Sequence, residues 1–397
     1  MDLKQVFLQN VAQTSSTPLA LEFEKAEGIY LIDKAGKKYI DLISGIAVSN
    51  VGHRHPKVVA AIKDQADKYL HQMVYGEYVQ SPQVKLAKAL TDTLKDYKTN
   101  TGLKIDNVYF VNSGAEAVEG AMKLAKRFTG RREIISYHKA YHGSTQGALS
   151  LGDEEFKRGY RPTLPEIRKI QRGSIADLAL ITKQTAAVFF EPVGGESGVI
   201  PATQEYIKAL GARCKTTGTL LVFDEIQSGF GRTGAFWAFE HYGVVPDVLL
   251  SAKGMGGGMP IGAFMAPHKL MEVFKENPIL GHITTFGGHP VSCAASLATV
   301  GIIHEEVDHA ETLRKGELFK KLLVHPEIKE VRGTGLMLAA ELSDFDFLAK
   351  VIDKTIANGV ITDWFLYCDK AMRIAPPVII TDEQIHEACS VILGALG

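Results

Sequence analysis

Residues 220–234 read LLVFDEIQSGFGRTG and residues 248–260 read VLLSAKGMGGGMP, and these two stretches decide the fold. Each starts with an apolar run of strand length and then reaches a charged side chain, Asp224 in the first and Lys253 in the second. Runs that are apolar throughout are typical of strands buried on both faces of a sheet. A carboxylate and an amine are costly at the ends of such strands unless they have partners. The pair therefore predicts a ligand site, with a structural ion pair as the alternative.

The same pattern recurs in three further runs, DNVYFV at 106–111, EIISY at 133–137 and AAVFFEP at 186–192. Helical segments separate the runs; in one of them Ile207, Leu210, Gly211 and Cys214 recur at the spacing of one helix face. Strands that alternate with helices predict an α/β fold with a mostly parallel sheet flanked by helices.

We expect three parts along the chain. Residues 1–57 contain an alternating hairpin around Lys34–Gly36 and form an N-terminal segment that packs with the small domain. Residues 58–292 form the large domain, and residues 293–397 form a smaller α+β domain. Ligands bind beyond the carboxyl ends of strands in open α/β sheets. The polar residues expected to meet there are Asn112, Glu191, Asp224 and Lys253.

Composition excludes several classes of function. The formal net charge is −1, which argues against a nucleic-acid or anionic-membrane partner. The cysteines form no CxxC pair and no zinc spacing, so no metal site is predicted; they are Cys214, Cys293, Cys368 and Cys389. The N-terminus lacks the pattern of a secretory signal, and no apolar run reaches the ~18 residues of a membrane span. We therefore expect a cytoplasmic protein.

A phosphate site is predicted where Ser113, Gly114 and Ala115 open a helix after the run that ends at Val111. Small residues let backbone N–H groups approach an anion, and the helix dipole favours it. An ordinary helix cap is the alternative. The chain has no P-loop and no GxGxxG fingerprint, which argues against a dinucleotide oxidoreductase.

The chemistry of Lys253 and Asp224 points to a cofactor with an aldehyde and a pyridine ring. Burial favours the neutral amine of Lys253, which is the form that attacks a carbonyl. A buried Asp224 carboxylate can pair with a pyridinium N–H and so keep the ring an electron sink.

On the motifs DEIQSGFGRTG and SAKGMGGGMP, the sequence resembles the class III aminotransferases of the fold type I pyridoxal-phosphate enzymes, over nearly the whole chain. The resemblance implies that Asp224 pairs with the pyridine nitrogen and that Gln227 lies near the phenolic oxygen. Lys253 then forms the Schiff base and moves a proton. Tyr141 stacks on the ring. Thr285 reaches the phosphate of a partner subunit, which implies a homodimer. The predicted cofactor-binding set is Ser113, Gly114, Ala115, Tyr141, His142, Glu191, Asp224, Gln227, Lys253 and Thr285.

The resemblance also implies a substrate gate formed by Glu196 and Arg373, in which the arginine binds a substrate carboxylate and the glutamate replaces it when the substrate has none. Ile46 stands where ornithine δ-aminotransferases carry a substrate-binding tyrosine, so the acetylornithine group and arginine biosynthesis are favoured. Ser144 departs from that group, which carries an arginine there. Cations expected to be mostly solvated could replace it: Lys139, Lys157, Arg158 and Arg161.

The predicted activity is transamination between an ω-amino donor of the N-acetylornithine, N-succinylornithine or ornithine type and 2-oxoglutarate, giving glutamate. The alternatives are a broader ω-aminotransferase acting on 4-aminobutyrate, β-alanine or lysine, and an aminomutase or phospholyase on the same fold. A non-catalytic binding protein is disfavoured because every cofactor-contact position is filled.

Overall fold

The computed structural model of the chain describes residues 2–397. In chain order the strands are β1 (Phe23–Glu27), β2 (Tyr30–Asp33), β3 (Lys38–Asp41), β4 (Asn107–Val111), β5 (Glu133–Tyr137), β6 (Ile167–Ile170), β7 (Thr185–Phe190), β8 (Val193–Gly194), β9 (Ile200–Pro201), β10 (Leu220–Asp224), β11 (Val248–Ser251), β12 (Gly262–Ala266), β13 (Glu330–Thr334), β14 (Met337–Glu341), β15 (Val360–Ile361), β16 (Trp364–Phe365) and β17 (Cys368–Ile374).

The α-helices, again in chain order, are α1 (Leu3–Asn10), α2 (Ser44–Ala47), α3 (Pro56–Lys68), α4 (Ser81–Asp92), α5 (Gly114–Thr129), α6 (Gln146–Ser150), α7 (Glu154–Lys157), α8 (Gln204–Thr217), α9 (His268–Met271), α10 (Pro290–Glu305), α11 (His309–Leu322), α12 (Phe345–Ala357) and α13 (Asp382–Leu396). Short 3-10 helices occur at Arg158–Tyr160, Ala176–Leu180, Ala238–His241, Lys253–Gly256 and Glu272–Phe274.

The central sheet has seven strands in the order β4-β12-β11-β10-β7-β5-β6. Strands β11, β10, β7, β5 and β6 pair in parallel, and β12 runs antiparallel to both β11 and β4. The predicted α/β class with a mostly parallel sheet is therefore confirmed. The antiparallel strand β12 was not anticipated.

The core lies on both faces of this sheet. Every residue of β7, β10 and β11 is buried. Successive side chains of β10 point to opposite faces, so Phe223 packs in the cluster with Ile207 of α8, while Val222 packs in the cluster with Val118 of α5. Burial on both sides explains why these strands are apolar throughout rather than alternating.

Helix α5 has the local signals of a well-formed helix. Ser113 caps its first turn, because its Oγ accepts a hydrogen bond from Glu116 N at 3.2 Å. Gly130 ends the helix in the left-handed conformation, with φ 68°. Small buried residues such as Ala117 and Ala121 let the helix lie close to the sheet.

The C-terminal part contains a second, antiparallel sheet in the order β13-β14-β17-β16. A third sheet, β1-β2-β3-β15, joins the two ends of the chain, because β15 pairs in parallel with β3. The hairpin predicted around Lys34–Gly36 connects β2 and β3. The domain boundaries at residues 57 and 292 stay predictions. Between Asp2 and Gly397, no helix combines the length and the apolar content needed to cross a membrane.

Candidate active site

A cavity of about 490 Å³ lies at the carboxyl ends of β4, β5, β7, β10 and β11. This edge is where an open α/β sheet binds ligands. The sequence-predicted residues that line it are Ser113, Gly114, Ala115, Tyr141, His142, Ser144, Glu191, Glu196, Asp224, Gln227 and Lys253, together with Asn112.

Lys253 enters the cavity just past the end of β11. Its backbone has φ 45°, a left-handed conformation that a lysine adopts at a cost of about 1–3 kcal/mol. Burial lowers the pKa of Lys253 below that of a free lysine, although the Glu196 carboxylate acts in the opposite direction. The amine is thereby biased toward its neutral, nucleophilic form.

Asp224 ends β10 and is held by its neighbours. His142 Nδ1 donates to Asp224 Oδ2 at 2.7 Å, and Ile226 N donates to Asp224 Oδ1 at 3.0 Å. Both side chains are almost fully buried. The carboxylate therefore has a fixed orientation at the cavity wall, as the pyridine-pairing role requires.

The turn before α5 brings two backbone segments together. Gly143 allows this approach, because a Cβ at that position would lie 2.5 Å from the Cβ of Ala115. The loop that carries Tyr141 can thus close over the N-terminus of α5. There Gly114 and Ala115 line the cavity, and the N-terminus of a helix favours an anion.

Glu196 and Arg373 form the ion pair that was predicted as a gate. Arg373 Nη1 and Nη2 each donate to one carboxylate oxygen of Glu196, both at 3.2 Å. Gln227 Nε2 and Leu366 N add one further hydrogen bond each at 3.2 Å. Burial acts to raise the pKa of Glu196, but the Arg373 guanidinium, the Lys253 amine and the hydrogen bond from Leu366 N together hold that pKa below its ordinary value. Ile46 and Arg373 line a small adjoining cavity that shares Gln227 with the main one.

Asp363 was not singled out from the sequence. Its Oδ1 accepts a hydrogen bond from Arg373 Nε at 2.7 Å, so it is a second carboxylate on the same guanidinium. The signal that could have found it is the one that found Asp224: an acidic residue that follows an apolar run, here in GVITDWF at 359–365.

Ser144 pairs with a neutral group. Its Oγ lies 3.2 Å from the Tyr141 hydroxyl. The cavity is lined by residues from the described range 2–397. None of the four cations proposed to replace the missing arginine is among them. Lys139, Arg158 and Arg161 are exposed, whereas Lys157 is buried and its Nζ donates to Gly152 O at 2.9 Å.

Thr285 is the predicted site residue that lies apart from the two cavities. It is exposed, in the turn before α10. Large apolar side chains are also exposed in this part of the chain and near α4; Ile279 is 75%, Phe286 54% and Val79 92% exposed.

Three of the residues that line the main cavity have a buried polar atom without a hydrogen-bond partner in the described part of the chain. Gln227 Oε1, Ser228 Oγ and His142 Nε2 are buried and have no hydrogen-bond partner within residues 2–397. Together with an amine, a carboxylate and a helix N-terminus, they fit a polar ring with an aldehyde and a phosphate. Over the same residues, no group of three His, Cys, Asp or Glu side chains could hold a metal ion.

Comparison with known proteins adds independent findings. The family model described as aminotransferase class-III matches residues 11–396. An acetylornithine aminotransferase of Methanocaldococcus jannaschii is 40% identical over 381 residues, which cover 93% of this chain and 91% of that protein. A LysW-aminoadipate semialdehyde/glutamate semialdehyde transaminase of Sulfurisphaera tokodaii is 36% identical, covering 93% and 92%. The solved ornithine aminotransferase of Toxoplasma gondii, with PLP at its active site, superposes with a TM-score of 0.91 at 29% identity, covering 100% and 93%.

Proposed function

The chain belongs to the class III aminotransferases, which use pyridoxal 5′-phosphate, and from this premise we propose that it moves the terminal amino group of an ornithine-type donor to 2-oxoglutarate, giving glutamate. The donors we propose are N-acetylornithine, N-succinylornithine and ornithine, and the first of these would place the enzyme in arginine biosynthesis. The observation that carries the proposal is the buried Glu196–Arg373 pair beside Lys253.

Five residues would hold the cofactor. Lys253 would bind it covalently, Asp224 would accept the pyridine N–H, and the N–H groups of Gly114 and Ala115 would bind the phosphate. His142, at 2.7 Å from the carboxylate, would keep Asp224 in place. When bound, pyridoxal phosphate supplies an electron sink that acidifies the C–H next to the substrate amine.

Lys253 would also move the proton. Its ε-amine would take the proton from the substrate carbon that bears the amine and would give it to the cofactor carbon that carries the aldehyde. Its lowered pKa supports this role, because a general base must be neutral at the working pH. Tyr141 and Gln227 line the same cavity and would orient the ring.

The gate would let one site serve two unlike substrates. With a donor that presents no carboxylate to Arg373, Glu196 stays on the guanidinium and neutralises it. With 2-oxoglutarate, we propose that the α-carboxylate replaces Glu196 on the Nη1 and Nη2 fork. An aminomutase or phospholyase has no need to alternate in this way, so the pair argues against both.

A second candidate is a broader ω-aminotransferase that acts on 4-aminobutyrate, β-alanine or lysine. The observation that favours it is the neutral Tyr141–Ser144 pair, which offers hydroxyl groups where the acetylornithine group has an arginine. Hydroxyl groups provide no charged fork for the donor's carboxylate, so they do not fix the distance between that carboxylate and the reacting amine as an arginine would.

We also propose a homodimer with shared active sites, in which Thr285 reaches the phosphate of the partner subunit. Its exposure outside the cavity of its own chain supports this role. Exposed side chains such as Ile279 and Phe286 support it as well, because large apolar patches mark interfaces. A cytoplasmic location stays a prediction from the sequence.

The test is a panel of amine donors offered with 2-oxoglutarate, with glutamate as the measured product. Glutamate should form fastest from N-acetylornithine or N-succinylornithine. Higher kcat/KM with 4-aminobutyrate, β-alanine or lysine would select the second candidate. Conversion of an amine without an oxo acid would instead indicate a mutase or lyase.

A further inference from the structure

Arg373 is held from more sides than a two-residue gate requires. Its Nε donates to Asp363 Oδ1 at 2.7 Å, and its Nη2 also donates to the Trp364 carbonyl at 3.2 Å. The Cζ atom lies 4.3 Å from the centre of the Phe365 ring. These contacts all come from residues 363–365, so one short segment surrounds the guanidinium.

The backbone fixes this segment to the strand that carries the arginine. Arg373 N donates to Asp363 O at 2.9 Å, and Thr362 Oγ1 donates to Arg373 O at 2.6 Å. Asp363 and Arg373 therefore keep their spacing whatever occupies the cavity. Glu196, in contrast, comes from the turn between β8 and β9 in another part of the chain.

The two carboxylates use different edges of the guanidinium. Asp363 takes Nε, whereas Glu196 takes Nη1 and Nη2, which form the parallel fork that a carboxylate binds with two hydrogen bonds. Withdrawal of Glu196 thus exposes the whole fork and leaves the Nε contact in place.

We propose that Asp363 is a positioning residue for oxo-acid binding: it is the permanent partner of Arg373, while Glu196 and the substrate carboxylate take turns on the fork. This role rests on the proposed function, in which Arg373 receives that carboxylate. Asp363 sets the direction of the fork through Nε and keeps a counter-charge beside a guanidinium that is only 4% exposed.

The counter-charge matters at the moment of exchange. A buried arginine that loses its only carboxylate is strongly destabilised. With Asp363 in place, Arg373 retains one carboxylate while Glu196 leaves and the substrate arrives. Replacing one carboxylate on the fork by another then leaves the charge around the guanidinium unchanged.

Calorimetric binding of glutarate to the cofactor-loaded enzyme tests the proposal, because glutarate is a dicarboxylate that lacks the keto group and does not react. Asp363→Ala removes the acceptor for Nε and should raise the Kd for glutarate about 10-fold, as loss of one hydrogen bond to a charged group implies. Asp363→Asn keeps an oxygen acceptor for Nε but removes the counter-charge, so the Kd for glutarate should rise less than in Asp363→Ala, by about 3-fold. Asp369→Ala changes an exposed aspartate of β17 and is the matched control.

Steady-state kinetics supply the readout that a general loss of structure would not give. In Asp363→Ala the KM for 2-oxoglutarate should increase much more than the KM for the amine donor. Asp363→Asn, which restores the acceptor but not the charge, should reverse part of that increase. An unchanged Kd and KM in Asp363→Ala, or equal rises for both substrates, would overturn the role of Asp363. If the wild-type enzyme binds no glutarate but still transfers amino groups, then Arg373 does not bind the carboxylate of the oxo acid. The proposed role of Asp363 would then be wrong as well.

Discussion

Lys253 follows a buried strand and adopts a left-handed backbone conformation. Burial lowers the pKa of its amine, so the neutral form exists at a lower pH than in free lysine. The same position explains why a lysine stands at the end of an apolar run: its environment selects the form that can capture a carbonyl.

Capture of pyridoxal phosphate by the apoenzyme should therefore depend on pH in a defined direction. The rate should rise with pH as the amine loses its proton and should level off below the ordinary lysine pKa of 10.5. Stopped-flow absorbance of the bound cofactor measures it. Lys253→Ala should lose that absorbance and nearly all turnover, while Lys269→Ala, an exposed lysine, should behave as wild type. A capture rate that levels off only above pH 10.5 would contradict a lowered pKa for Lys253.

Ser144 is expected to control the choice of donor. Ser144→Arg would place a charged fork beside Tyr141, where the structure has two hydroxyl groups 3.2 Å apart. KM for N-acetylornithine, which has a carboxylate on its far end, should fall about 10-fold, whereas KM for a simple diamine should not fall. Ser144→Ala tests whether size alone matters. If Ser144→Arg changes KM equally for both donors, position 144 does not contact the carboxylate of N-acetylornithine.

For single residues, the sequence was informative where a charged side chain occurs in a stretch that is otherwise apolar and buried. Asp224, Lys253 and Glu191 stood out because charges are costly at the ends of apolar strands, and they line one cavity. Asp363 carries the same signal but was missed, because its partner Arg373 is ten residues away and only the pairing of strands brings the two together.

The hairpin formed by β8 and β9 presents Glu196 to the arginine, and Gly195 gives it room. A Cβ at Gly195 would collide with Oε1 of Gln227. That amide also donates to Glu196, so the glycine and the gate are coupled.

Gly195→Ala should therefore weaken the closed gate. Displacement of Gln227 would remove one of the hydrogen bonds that hold Glu196, and ligand carboxylates would compete better for Arg373. The Kd for glutarate should fall about 3-fold, as loss of a modest hydrogen bond implies. Gly159→Ala is the matched control, because a Cβ there meets nothing within 4 Å. Weaker glutarate binding in Gly195→Ala would mean that the alanine disturbs Arg373 as well.

The pattern of apolar runs did not predict the antiparallel strand β12. Parallel neighbours need a long crossover, usually a helix. Between β11 and β12 the chain has only a short 3-10 helix and a glycine-rich turn. An antiparallel neighbour follows from that short connection, but the run GAFMA contains glycine and alanine and no β-branched residue, so its composition does not indicate a strand.

Arg232 connects three parts of the molecule. It is fully buried and donates to Asn50 Oδ1 at 2.6 Å, to Leu336 O at 2.9 Å and to Pro376 O. The N-terminal segment, the centre of the chain and the C-terminal part thus meet at one guanidinium. Long-range contacts of this kind leave no periodic pattern in a sequence, so the sequence alone does not predict where the three parts meet.

Arg232→Met should destabilise the whole protein. The substitution keeps much of the side-chain volume but leaves buried acceptors without donors, at about 1–3 kcal/mol each. We expect the free energy of unfolding to fall by about 3 kcal/mol or more, measured by urea denaturation. Arg158→Met, at an exposed position, is the control. If Arg232→Met lowers the free energy of unfolding no more than Arg158→Met does, water replaces the three hydrogen bonds of Arg232.

The position of β12 also has a consequence for synthesis on the ribosome. Strand β4 lies at the edge of the sheet with β12 as its neighbour, so Phe110 pairs with Ala263. At ordinary elongation rates, on the order of 10 s pass between the emergence of these two segments. Throughout that interval the apolar run NVYFV has no strand to pair with, and the turn proposed to bind the phosphate has no fixed position. A nascent chain that ends before residue 262 should therefore depend on chaperones and be unable to retain the cofactor.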